Sequence, residues 1–139
     1  MEWRNYKLIN MNRLFIILTF LFFSCENLNQ SKVNFISENH FNEITDSDFY
    51  LIDVRTTEEF ESGHIQNAIH IDFYSDSFQS NILNLKKDSK IILYCRTNNR
   101  SSKSADFLFN NDYKDISVIE GGITSWVKNG NDITYPKLD

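Results

Sequence analysis

Cys95-Arg96-Thr97-Asn98-Asn99-Arg100-Ser101 is the stretch of this chain best equipped for chemistry. A cysteine is nucleophilic as its thiolate, so its neighbours must favour negative charge. Arg96 and Arg100 bring full positive charges. Ile91-Ile92-Leu93-Tyr94 before the cysteine is a short apolar run that predicts a buried strand. After it, Ala105, Leu108 and Phe109 recur at helical spacing, with Ser101 or Ser102 as the expected N-cap. The thiol therefore stands where a strand ends, on a short loop entering a helix N-terminus. Unpaired N–H groups and a partial positive charge gather at such a terminus, and a curled loop aims further N–H groups inward. The competing reading is an inert cysteine buried as a small apolar side chain.

The elements that must position this loop follow in order. Val33-Asn34-Phe35-Ile36 predicts a first strand, with Ser37 capping a short helix through Ile44. Phe49 to Arg55 is an apolar strand ending in the charged pair Asp53 and Arg55, which we expect to tie loops near the site. Thr56 and Glu59 have capping-box spacing, and Gly63 ends that turn. His64 to Ile71 leads into another strand, and Phe78, Ile82 and Leu85 mark a helix face. Ile116 to Ile119 is a further strand, followed by Glu120-Gly121-Gly122 and a helix carrying Trp126. Alternating strands and helices predict an α/β domain with a parallel central sheet flanked by helices on both faces. Sites in such sheets form beyond the carboxyl ends of the strands, where Cys95, Asp53 and Arg55 all fall. His64 and His70 lack metal-ligand spacing, so we assign them packing or surface roles and expect no metal and no cofactor.

The first residues read differently. Arg4, Lys7 and Arg13 precede the apolar run Leu14–Phe23, then Ser24-Cys25. A basic start, a ten-residue apolar core and a small residue make a secretory signal. Cysteine directly after the small residue resembles the lipobox of bacterial lipoproteins. That resemblance implies lipidation of Cys25 and a membrane-anchored protein of the bacterial envelope or periplasm. Met11 would serve as an alternative start with a more compact signal. The expected organisation is a signal peptide over 1–24, a polar tether over 25–32, one domain over 33–130 and a tail over 131–139. Removing 1–24 takes away three of 14 basic residues and one of 19 acids, leaving a formal charge of −7. So acidic a domain is a poor match for nucleic acid.

Several fragments together resemble the rhodanese (sulfurtransferase) family. Asp53-Val54-Arg55, Glu59-Phe60, Gly63-His64-Ile65 and Ala68 resemble its N-terminal signature. Cys95 to Arg100 falls on its active-site loop, and Glu120-Gly121-Gly122-Ile123 with Trp126 on its C-terminal signature. The resemblance implies that Cys95 carries sulfur as a persulfide between a small donor and a thiophilic acceptor, a small molecule or a protein thiol. Arg96, Thr97, Asn98, Asn99 and Arg100 would then form the substrate-binding loop. Arg96 would meet an anionic donor, and Arg100 would hold the loop's shape through hydrogen bonds. Four residues separate Cys95 from Arg100, the sulfurtransferase length; phosphatases of the same fold use one more. The family commonly has glycine where this chain has Asn98; glycine permits a positive φ there, asparagine is the next most tolerant residue, and the loop is expected to form. The alternative is an inactive rhodanese-like module that binds a partner at the envelope.

Overall fold

The computed structural model describes residues 33–44 and 48–136. The predicted signal segment, Cys25 and the tether lie outside the described residues.

The chain alternates strand and helix as the sequence predicts. The order is β1 (Asn34–Ile36), α1 (Glu38–Asn42), β2 (Phe49–Asp53), α2 (Thr57–Glu61), β3 (Ile69–His70), α3 (Phe78–Leu83), β4 (Lys90–Tyr94), α4 (Asn99–Asn110), β5 (Ile116–Ile119) and α5 (Gly122–Lys128). All pairings are parallel, and the five strands lie in the order β1-β5-β4-β2-β3. Asp53 pairs with Tyr94, and Leu93 with Val118, so β2, β4 and β5 reach their carboxyl ends at nearly one level.

Period-two alternation along β4 builds the two core layers. Ile91 and Leu93 join Ile52, Val54 and Val118 against Phe78 and Ile82 of α3 and Ala105 and Leu108 of α4. Ile92 and Tyr94 face the other way, with Leu51 and Ile119, against Ile123 and Trp126 of α5 and Phe41 of α1. Every β4 residue from Ile91 to Tyr94 is fully buried, as a strand covered on both faces requires.

The caps explain several boundaries. Ser37 Oγ accepts from His40 N at the start of α1. Thr56 and Glu59 form the expected reciprocal capping box on α2. The segment following α5 folds back onto the domain: His64 and Thr134 exchange two backbone hydrogen bonds of 2.8 Å, and Trp126 Nε1 donates to Asp132 O at 2.7 Å.

Candidate active site

Cys95 directly follows the last residue of β4, and Arg96, Thr97 and Asn98 form the bend into α4. The helix begins at Asn99 with Asn98 in the N-cap position, three or four residues earlier than a cap at Ser101 or Ser102 predicts. Ser101 therefore lies inside the first turn instead of capping it. Its hydroxyl stands 3.5 Å from Cys95 Sγ and 3.1 Å from Asn98 O, so its single proton can serve either acceptor.

The loop is shaped from outside by the turn between β5 and α5. Ile123 N donates to Cys95 O at 3.0 Å, Thr124 N to Arg96 O at 3.1 Å, and Thr124 Oγ1 to the same oxygen at 2.7 Å. The first N–H groups of α5 are thus satisfied by active-loop carbonyls. In a trans peptide the C=O and the next N–H point in opposite directions. Giving the carbonyls of Cys95 and Arg96 to α5 turns the N–H groups of Arg96 and Thr97 to the loop's other side. Among the described residues, no protein acceptor takes the backbone N–H of Arg96, Thr97, Asn98, Asn99 or Arg100. Five successive donors remain available to an anion, at the positive end of a twelve-residue helix.

Gly121 and Gly122 make this contact possible. Both have positive φ, +71° and +57°, and a Cβ on Gly122 would collide with the carbonyl oxygens of Cys95 and Thr97. Asn98 completes the join. Its Oδ1 accepts from Gly121 N at 2.8 Å, and its Nδ2 donates to Ile119 O at 3.3 Å. The φ of Asn98 is −146°, so the positive φ that a glycine would permit is not used here. Asparagine contributes its side chain at this position, not its tolerance of left-handed backbone.

Arg100 also departs from expectation. Instead of bonding the loop, its guanidinium meets Glu59 of α2, Nη1 to Oε2 at 2.5 Å and Nη2 to Oε1 at 2.9 Å. The Arg100 hydrogen bonds hold the Glu59 carboxyl at a pKa of about 2, with a further contribution from Thr56 N. The same pair pushes Arg100 above its ordinary value. The exposed ring of Tyr74 lies 5.8 Å from the guanidinium carbon.

Asp53 and Arg55 form a second, deeply buried pair. Arg55 donates to both Asp53 oxygens, at 2.6 Å from Nη2 and 2.9–3.0 Å from Nε, and to Gly63 O at 2.7 Å. The pair thereby ties the end of β2 to the end of α2, the role read from the sequence. Burial raises the Tyr94 phenol, with the Asp53 carboxylate acting in the same direction. Its oxygen accepts from Ile65 N at 3.1 Å. His64 and His70 both stack on Phe60, at 3.8 and 4.7 Å between centroids. Each ring donates to a carbonyl oxygen, His64 Nδ1 to Phe60 O and His70 Nε2 to Arg55 O.

Cys95 is 1 % exposed and belongs to the core layer that includes Val54, Ile71 and Phe78. Arg96 and Thr97 are exposed beside it, Asn98 and Arg100 partly covered. A cavity of about 890 Å³ lies on the opposite layer, between Phe41, Leu51, Ile65, Trp126 and Ile133, and no residue from 95 to 100 lines it. Glu59 and Tyr74 are the neighbours of the loop that its own sequence does not reveal, and Ser101, read there as a cap, places its hydroxyl at the sulfur instead. Of these two, Glu59 carries a local signal, and that signal is for a helix cap.

Residues 38–129 match the family model for the rhodanese-like domain. The chain belongs to the rhodanese-like family. A rhodanese-related protein from Thermoplasma volcanium has a similar structure, with a TM-score of 0.66 and 27 % identity, over 74 % of this chain and 99 % of that one. A rhodanese-like domain protein from Staphylococcus aureus gives a TM-score of 0.64 at 26 % identity, over 76 % and 100 %. Among curated relatives, the tRNA uridine(34) hydroxylase of Wigglesworthia glossinidia brevipalpis is 34 % identical over 106 residues, 73 % of this chain. The chain spans about a third of that relative's length, 34 %. Some relatives of this rhodanese-like domain are therefore parts of larger enzymes.

Proposed function

We propose that the domain is a sulfurtransferase in which Cys95 takes the outer sulfur from a small donor and passes it to a thiophilic acceptor. The Cys95 thiolate attacks the donor's terminal sulfur, and the donor's bond to that sulfur breaks with its electron pair leaving on the departing group. Cys95 then carries S–S⁻. An incoming nucleophile attacks the outer sulfur and returns the Cys95 thiolate, so no electrons are gained or lost overall. The five uncommitted N–H groups of Arg96 to Arg100 carry this reading, because they offer donors for the charge on the bound sulfur. Ser101 Oγ adds a donor at 3.5 Å from Sγ.

Mature protein treated with thiosulfate, a thiosulfonate or a persulfide should gain the mass of one sulfur on Cys95. With cyanide as acceptor it should release thiocyanate. A Cys95 that stays unmodified with every donor overturns the proposal.

The 1 % exposure of Cys95 favours a second reading, a module that binds a protein partner without chemistry. Partner capture unaffected by Cys95→Ser, with no sulfur uptake, would select it. The hydroxylase activity named for the Wigglesworthia relative is not proposed here, since the chain covers a third of that protein and is acidic.

We also propose an envelope location through lipid on Cys25, supported by the basic and apolar residues before it. Palmitate-analogue labelling lost in Cys25→Ala would support it; equal labelling of both would refute it.

A further inference from the structure

Charge around the active loop is largely spent. Arg55 is committed to Asp53, and Arg100 to Glu59 by two parallel hydrogen bonds. With the Tyr74 ring beside it, the Arg100 side chain keeps only 12 % of its exposure. Arg96 is exposed and has no acidic partner among the described residues. The positive charge left for a donor is therefore one guanidinium and the α4 terminus, worth about half a charge. The thiolate itself already uses part of it. A dianionic donor brings two further negative charges into this setting, and a singly charged donor brings one.

We propose that this site selects singly charged sulfane-sulfur donors, thiosulfonates or persulfides, over dianionic thiosulfate, and that Glu59 sets the preference by neutralising Arg100. The inference rests on the sulfur-transfer reading and names its donor class. With a thiosulfonate, the thiolate forms the new S–S bond, the donor's S–S bond breaks, and a sulfinate leaves with the pair. With thiosulfate, the leaving group is sulfite. The attacking chemistry is the same and the donors are similar in shape, so their difference at this site is charge. Glu59 acts through Arg100 and is a positioning residue.

The test compares kcat/KM for methanethiosulfonate and thiosulfate in the wild type, Glu59→Gln and Arg100→Gln, with sulfur on Cys95 followed separately by mass. Intrinsic donor reactivity cancels when the ratio of the two donors is compared between proteins. Glu59→Gln keeps an acceptor for Thr56 N and releases the Arg100 charge. It should improve thiosulfate at least fivefold relative to methanethiosulfonate, chiefly through KM. Arg100→Gln leaves the Glu59 carboxylate unopposed and should move the ratio the other way. Loss of shape alone would lower both donors together in both variants. A ratio that stays constant, or moves in one direction in both, overturns the inference while persulfide formation keeps the sulfur-transfer reading. Absence of sulfur on wild-type Cys95 with either donor overturns the inference, and absence across a wider donor panel overturns that reading as well.

Discussion

Arg100 and Glu59 stand 41 residues apart in the chain and meet in a two-bond ion pair that fastens α4 to α2. The pair joins the helix into which the active loop runs to the helix beyond β2. It also gives the domain a defined acid response. The Glu59 carboxyl has a folded pKa of about 2, below its ordinary 4.5. A depressed carboxylate pKa stabilises the fold fully above the unfolded value and loses that contribution as pH falls from about 4.5 toward 2. Glu59→Gln should therefore cost about 1–2 kcal/mol at pH 7, allowing for partial exposure, and almost nothing near pH 2. Denaturant titrations of both proteins at the two pH values check this. A gap that persists at pH 2 would count against it.

Cys95→Ser should abolish sulfur uptake and leave the fold in place. Serine is nearly isosteric, and Ser101 Oγ is already close enough to accept or donate to the new hydroxyl. The cost of a buried hydroxyl with one partner is about 1 kcal/mol. Mass spectrometry and thermal unfolding together separate chemistry from stability.

Asn98→Gly should weaken the protein, although glycine is what the family commonly places there. Glycine cannot accept from Gly121 N or donate to Ile119 O, and the −146° φ of Asn98 gains nothing from its freedom. A loss of about 1–2 kcal/mol is expected, with several-fold slower sulfur loading. An unchanged loading rate would show that the bridge does not shape the loop.

Gly122→Ala and Gly130→Ala form a matched pair. Both residues have positive φ, +57° and +81°, but a Cβ at Gly130 meets nothing within 4 Å. At Gly122 it would strike the loop carbonyls. Gly130→Ala should cost about 1 kcal/mol and spare sulfur transfer. Gly122→Ala should cost more than about 2 kcal/mol and displace the loop, with transfer falling at least tenfold. Equal loss of transfer in the two variants would refute the assignment.

The architecture was readable because local patterns and burial agree. The apolar run from Ile91 to Tyr94 is a strand covered on both faces, and Thr56 with Glu59 caps α2 as their spacing predicts. Asp53 and Arg55 were readable for a similar reason, since both partners lie two residues apart. The site's finer wiring was not. Arg100 finds its partner across 41 residues, and Glu59 already accounts for itself locally as a cap residue. The start of α4 differs from the sequence expectation because its serines suggest a cap they do not supply. The loop's carbonyls are instead held by α5, and Asn98 points its amide at β5 and Gly121. Such contacts depend on which turns the sheet order brings together, and no window of sequence contains both sides.

The carbonyl handover from Cys95 and Arg96 to α5 also decides how the covered sulfur is reached. Five hydrogen bonds, counting the Asn98 pair, rivet one flank of the loop to the β5–α5 turn. The other end of the loop is held by the Arg100–Glu59 pair, and beside it stands the Tyr74 ring, 5.8 Å from the guanidinium carbon and 69 % exposed. If Cys95 takes sulfur from a donor, we expect the opening at the exposed 74–77 segment, with the riveted flank as the fixed jaw. Amide hydrogen exchange should run faster at Tyr74 and Ser75 than at Ile123 and Thr124, and the reverse order would place the doorway elsewhere.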